Sequence, residues 1–354
     1  MRPPPRATAD YAQPHFGGYA NAAVPRPADS ASVQDLSGQT MGTGWSLRFD
    51  NPAMLPHEAA RQALVAAFDA VIGQMSTWHA DSDICQFRQA APGTRFALAP
   101  EFARVLACAL HWAGLSDGAI DPTVGPLVSL WGFGAHAQCQ PSRPDAGALA
   151  RARERTGWQR LAFDASTATV LQPGGMALDL SGIAKGFAVD HAAIALRNLG
   201  LSDFLLEIGG ELRASGRRPG GQPWQVQIET APGVGLRLPL ADRSIATSGD
   251  RWHAHRDAQG LRWSHTIDPR NGLPVDGRLA SVSVVHDECM QADALATVMT
   301  VLGPDDGLAF AQRHALAAVF CLRTDEGVQW VASDAWPNEA AASTGGRLSH
   351  RATP

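Results

Sequence analysis

Between residues 204 and 285 the chain carries five short segments of alternating apolar and polar residues, at 204–208, 224–228, 236–240, 263–267 and 279–285. Gly- and Pro-containing turns separate them, which is the pattern of antiparallel sheet. Helical patterns are interspersed along the chain without a regular βαβ rhythm, so the expected class is α+β rather than a doubly wound fold. No G-x-G-x-x-G opens a strand–helix unit, and an NAD-type Rossmann site is therefore disfavoured.

The helical patterns frame these strands. Leu64, Phe68, Val71, Ile72 and Met75 recur at helical spacing after Pro56, a favourable first-turn residue. A second helix is expected over 101–113, with Phe102, Leu106 and Leu110 on its apolar side. A third covers 183–199 and stops at Gly200, a fourth covers 291–302 and stops at Gly303, and a fifth lies near 305–313. A final hairpin is expected around Val319 and Val328. With 354 residues there is room for one large domain or two intimately packed lobes. Residues 1–35 offer little apolar surface and read as a disordered extension. The polar stretch 333–354 reads as a loose tail, leaving 36–332 as the folded region.

The net charge of -5 argues against a nucleic-acid or anionic-membrane partner. An acidic protein that binds an anion needs local devices: backbone amides, a placed Lys or a metal ion. The five cysteines are scattered and include no C-x-x-C, which points to reduced thiols. No run reaches the length of a membrane span, and no apolar leader or anchor cysteine opens the chain. The expectation is a cytoplasmic protein without a direct membrane span.

Four stretches could carry chemistry. In QADALATVMTVLG, Asp293 and Thr297 fall on one helix face, a carboxylate and a hydroxyl suited to Mg²⁺. The same spacing suits an Asp favouring the helix dipole and a Thr bonded back to a carbonyl. In LDLSGIAKGFAVD, a short strand is expected to end at Asp179 and turn through Gly182 into a helix holding Lys185. Free amides and a cation at a helix start would seat a pyrophosphate, or the segment is an ordinary connection with a solvated Lys. The apolar DGAIDPTVGPLVSLWGFG could wall a flat aromatic ligand or simply be core. In SHTIDPRNG, His265 has the chemistry of a general base near neutral pH, and equally that of a structural residue at a strand end.

The order of these stretches is more telling than any one of them. TMGT at 40–43, MSTW at 75–78, AIDPTVGPLVSLWGFG, LDLSGIAKG, EIGGEL at 207–212, ATSGD, HTIDPRNG and ADALAT at 292–297 follow one another as in the ApbE family, which this chain resembles over roughly 39–332. The resemblance implies an FAD:protein FMN transferase that uses Mg²⁺, cuts the pyrophosphate of FAD, esterifies FMN to a partner's threonine and releases AMP. The implied partners are subunits of flavin-dependent redox complexes. It implies Asp293 and Thr297 as side-chain metal ligands, with backbone contacts at Gly182 and Ala296. It implies FAD contacts at Met41, Trp78, Ala119, Ile120, Asp121, Asp179, Lys185 and Ile267, and His265 as the base for the acceptor hydroxyl. Trp78 stands where Tyr is usual, keeping a stacking surface without a phenol; Thr266 and Asn271 also depart from the usual residues. Family members are commonly exported, so a periplasmic or membrane-associated location is the alternative to the cytoplasm. FAD hydrolysis to FMN and AMP, or flavin binding without catalysis, are the alternative activities.

Overall fold

The structure is a computed structural model and describes residues 33–137, 143–231, 234–249, 254–256, 260, 262–325, 327–342 and 347–350. The expected extension up to residue 32 and Cys139 lie outside the described residues. Among the described residues nine strands form the central sheet, ordered as they occur in the chain: β1 Val33–Thr40, β2 Thr43–Asp50, β3 Phe204–Ile208, β4 Glu211–Ser215, β5 Ser244–Gly249, β6 Leu279–His286, β7 Ala317–Thr324, β8 Gly327–Ala332 and β9 Arg347–His350. Every neighbouring pair is antiparallel except β8 and β9. The α+β, largely antiparallel class expected from the alternation is the one found.

Five of the helices concern the site: α1 His57–Met75, α2 Pro100–Leu115, α3 Ala184–Asn198, α4 Cys289–Leu302 and α5 Pro304–Arg313. They cover one face of the sheet. Alternation along the strands sends Val282, Val284 and Phe320 into this helical core, while Val285, Val319 and Cys321 point to the opposite face. There a second core forms around Trp224, Leu236 and Trp330, roofed by the hairpin Trp224–Ala231 and Val234–Leu240. The two lobes thus take the form of two faces of one sheet. A small third cluster, with Trp131, Trp263 and Ile267, sits apart. No helix among the described residues is long and apolar enough to cross a membrane.

Both expected boundaries shift. Residues 33–35 already belong to β1, whose partner is β2, so the folded region begins before residue 36. The hairpin turn needs two residues at positive φ, Met41 and Gly42, and neither lies in an apolar run. At the other end, β9 extends the sheet and Ala341–Ala342 pairs with Val234–Leu240. Trp336 is only 2% exposed in the second core, so the described stretch 333–342 is packed rather than a loose tail. Its polar composition hid one large anchor. Trp336→Ala should lower unfolding stability by about 3–5 kcal/mol, checked by denaturant titration; an unchanged midpoint would show that the segment is dispensable.

Candidate active site

Two clefts meet at Asp179. One, about 390 Å³ in volume, is lined by Ile120, Asp121, Gly182, Ile267 and Thr297; the other, about 350 Å³, by Thr77, Arg88, His136 and Leu178, and Asp179 borders both. No strand forms up to Asp179, contrary to the sequence expectation. The segment is pinned instead by the Asp179 N–H donating to the Pro122 carbonyl at 2.8 Å, and its side chain accepts from the Ser181 N–H. A single bond to a loop replaces a ladder.

The wall opposite is an organised loop. Asp121 Oδ1 accepts from the Thr123 N–H and hydroxyl, both at 2.7 Å, and Oδ2 accepts from the Trp158 N–H. Burial pushes this carboxyl above the usual range, against those donors. Asp121 therefore shapes the wall with its oxygens already engaged, while Ala119 and Ile120 are buried beside it. Trp78, in the loop after α1, is 75% exposed, an indole face open to a planar ligand.

The deepest chemistry lies where the first turns of α3 and α4 cross. A Cβ on Gly186 would lie 2.4 Å from the Cys289 carbonyl oxygen and 2.7 Å from the Asp293 Cβ, so only glycine permits this approach. The helices then cap each other. Asp293 on α4 accepts the Gly186 N–H of α3 at 2.9 Å, and Asp190 on α3 accepts the Met290 N–H of α4 at 2.9 Å. This cap explains why α4 begins at Cys289, two residues before its expected start. Because Gly186 donates to Asp293, the Gly182 carbonyl, four residues earlier, meets no donor among the described residues.

Thr297 completes the corner. A Cβ on Gly182 would sit 2.8 Å from its hydroxyl oxygen, so the glycine and the threonine face each other closely. On the same helix Thr300 bonds back to the Ala296 carbonyl at 2.8 Å, whereas Thr297 makes no such bond. Thr297 thus lacks the back-bond to a carbonyl that its spacing also allowed. The Ala296 carbonyl is thereby already in use, unlike that of Gly182.

The charges around this corner do not balance. Lys185 Nζ lies 2.6 Å from Glu211 Oε2 at the start of β4. Its ammonium is thus ion-paired while a third of the side chain stays exposed, a state between the pyrophosphate-seating cation and the solvated Lys that the sequence allowed. Burial pushes Lys185 down, but Glu211 and Asp293 outweigh it and leave the ammonium above the ordinary value. Burial first, then the Glu211 charge, push the Asp293 carboxyl up to about 7, against Lys185 and the Gly186 N–H. Burial and Glu211 also raise Glu207. Two carboxyls, Glu211 and Asp293, act on one ammonium, and a divalent cation would neutralise the excess. Among the described residues no three His, Cys, Asp or Glu gather as a metal cluster. The oxygens that fit a hard cation are one carboxylate, one hydroxyl and one carbonyl, which suits Mg²⁺.

His265 occupies a break in the expected strand 263–267. Arg262–Ser264 pairs with Ala254–Arg256, and Ile267–Asp268 pairs with Leu273–Pro274. Between them the Thr266 N–H donates to the Ser264 hydroxyl, which ends the first ladder. The His265 ring meets Phe133 edge-on at 6.3 Å, and Phe133 stacks on His255 at 4.3 Å. Ile267, two residues on, lines the first cleft with Pro269. Neither His265 nor Asp293 itself lines that cleft; Ile267 and Thr297, close by on the same segments, do. Glu211, Glu207, Asp190 and Gly186 had not been singled out; the signal for Glu211 was a carboxylate at an inward position of a strand.

Solved flavin transferases have this architecture. The structure matches the flavin transferase ApbE from Vibrio cholerae with a TM-score of 0.78 and 34% identity, covering 86% of this chain and 98% of that one. It matches the apo flavinyl transferase ApbE of Pseudomonas stutzeri with a TM-score of 0.79 and 33% identity, covering 86% and 95%. In sequence, an FAD:protein FMN transferase of Vibrio cholerae serotype O1 is 36% identical over 307 residues, 85% of this chain and 91% of the relative. The model of the ApbE family matches residues 41–320. The chain belongs to the ApbE family.

Proposed function

We propose that this chain is an FAD:protein FMN transferase that uses Mg²⁺ as its resident cofactor and releases AMP. The observation that carries the reading is the corner of Asp293 carboxylate, Thr297 hydroxyl and Gly182 carbonyl, opening on the cleft walled by Ile120 and Ile267. Mg²⁺ bound there supplies charge neutralisation for a pyrophosphate. Two clefts joined at Asp179 suit an elongated dinucleotide, with Met41 and Trp78 as further flavin contacts by family resemblance. Lys185, ion-paired with Glu211 at the start of α3, is a further FAD contact by family resemblance.

In the reaction, His265 takes the proton of an acceptor threonine. The threonine oxygen attacks the FMN phosphorus, the bond from that phosphorus to the bridging oxygen breaks, and AMP leaves with the electron pair. The acceptor we propose is a subunit of a flavin-dependent redox complex. The test is incubation of the full chain with FAD, Mg²⁺ and an acceptor protein, followed by mass spectrometry. An acceptor heavier by one FMN residue is expected. Free FMN and AMP without an adduct would assign hydrolysis instead, and unchanged FAD would reject both.

A pH dependence follows from the corner's electrostatics. Asp293 must be ionised to hold a cation, and without metal its carboxyl titrates at about 7. Below that pH, apparent Mg²⁺ affinity should fall by up to about tenfold per unit, as a proton competes for the same oxygen. The sign for stability is opposite. The folded carboxyl holds its proton more tightly than the unfolded one, at 3.8, so its contribution to metal-free stability is full at low pH. That contribution is lost as pH rises through about 7. Calorimetric Mg²⁺ titrations between pH 6 and 8 check the first part; a flat affinity would refute it.

A further inference from the structure

We propose that Glu211 is the positioning residue of the metal corner: by holding the Lys185 ammonium on β4, it keeps Asp293 open to a divalent cation. The proposal rests on the Mg²⁺ reading above and adds a residue to it. Lys185 is followed directly by Gly186, whose N–H already touches Asp293 Oδ2 at 2.9 Å. Its ammonium is close enough to interact with the Asp293 charge. Were nothing to restrain it, the nearest unpaired carboxylate would be Asp293, and a Lys185–Asp293 pair would occupy the oxygen a cation needs. Glu211 prevents this with a 2.6 Å contact from a side chain that is 3% exposed.

The geometry behind that restraint is rigid. Gly209 and Gly210, at φ of 60° and 109°, form the tight turn between β3 and β4. Glu211 is the first residue after the turn and pairs with Ile208 across the hairpin. Its backbone is fixed by the sheet, so its carboxylate cannot follow the lysine toward α4. A divalent cation at Asp293 then meets an ammonium whose charge is already matched.

The test is Mg²⁺ binding by calorimetry to the FAD-free full chain, with thermal melts confirming that each variant is folded. Glu211→Gln keeps the shape, removes the charge, and should weaken Mg²⁺ at least about tenfold by freeing a cation beside a cation site. Lys185→Met alone should bind Mg²⁺ as tightly as the unaltered chain or tighter. The double variant should bind within about threefold of Lys185→Met, since the ammonium that Glu211 restrains is gone. Unchanged affinity in Glu211→Gln would overturn the proposal. So would a double variant as weak as Glu211→Gln, or a tenfold loss in Lys185→Met, which stands even if Glu211→Gln does not fold. Absence of Mg²⁺ binding by the unaltered chain would instead refute the metal reading itself.

Discussion

Asp293→Asn should leave a folded protein that has lost its metal and its activity. The amide is the same size as the carboxyl, and its oxygen can still accept the Gly186 N–H that caps α3. It also removes a charge whose burial is unfavourable, since without metal the carboxyl resists ionisation up to about 7. Thermal stability of the metal-free variant at pH 8 should therefore equal or exceed that of the unaltered chain. Mg²⁺ affinity should fall at least about a hundredfold, because among the described residues this is the carboxylate that faces the Gly182–Thr297 corner and supporting residues alone are worth up to that. FMN transfer should drop by about 10²–10³ or more, the range for losing a preorganised electrostatic stabiliser. Calorimetry and the mass-spectrometric transfer assay read the two effects. Retention of Mg²⁺-stimulated transfer would reject the role given to Asp293.

Gly186→Ala should damage the same corner by a different route. The added methyl would lie 2.4 Å from a backbone oxygen and 2.7 Å from the Asp293 Cβ. Neither is the far end of a flexible chain, so α3 and α4 must separate. Forcing one methyl into such a contact costs about 1–3 kcal/mol, and both reciprocal caps then lengthen. Stability and Mg²⁺ affinity should fall together, whereas Asp293→Asn lowers only the affinity. Gly73→Ala, within α1, is the control: its Cβ would meet nothing within 4 Å on an ordinary helical backbone. If Gly186→Ala matched the unaltered chain in melting and in Mg²⁺ binding, the close crossing would carry no weight.

The two variants separate what could be read along the chain from what could not. Helices α1, α2, α4 and α5 and strands β3 and β6 begin and end within a few residues of where their apolar spacing placed them. That spacing reflects which face is buried, and burial is encoded locally. Hairpin β1–β2 was missed although Trp45, Leu47 and Phe49 alternate on β2, because β1 buries only Leu36 and the turn is the pair Met41–Gly42. Within the expected tail 333–354, the described stretch 333–342 was misjudged because composition averages away a single Trp336. The start of α4 depends on Asp190, a residue 100 positions earlier.

The pairing of Asp293 and Thr297 on one helix face was present in the chain itself, since a four-residue step on a helix settles which side chains share a side. So were the alternation that makes the sheet and the order of motifs that marks the family. Which of the corner's groups are available was decided only by the fold. Thr297 faces Gly182 while Thr300 turns back on Ala296, and Lys185 is claimed by Glu211, 26 residues on. The reason is physical: a side chain's position follows from its neighbours within a turn, but its charge and free lone pairs depend on burial and on partners that only tertiary packing delivers.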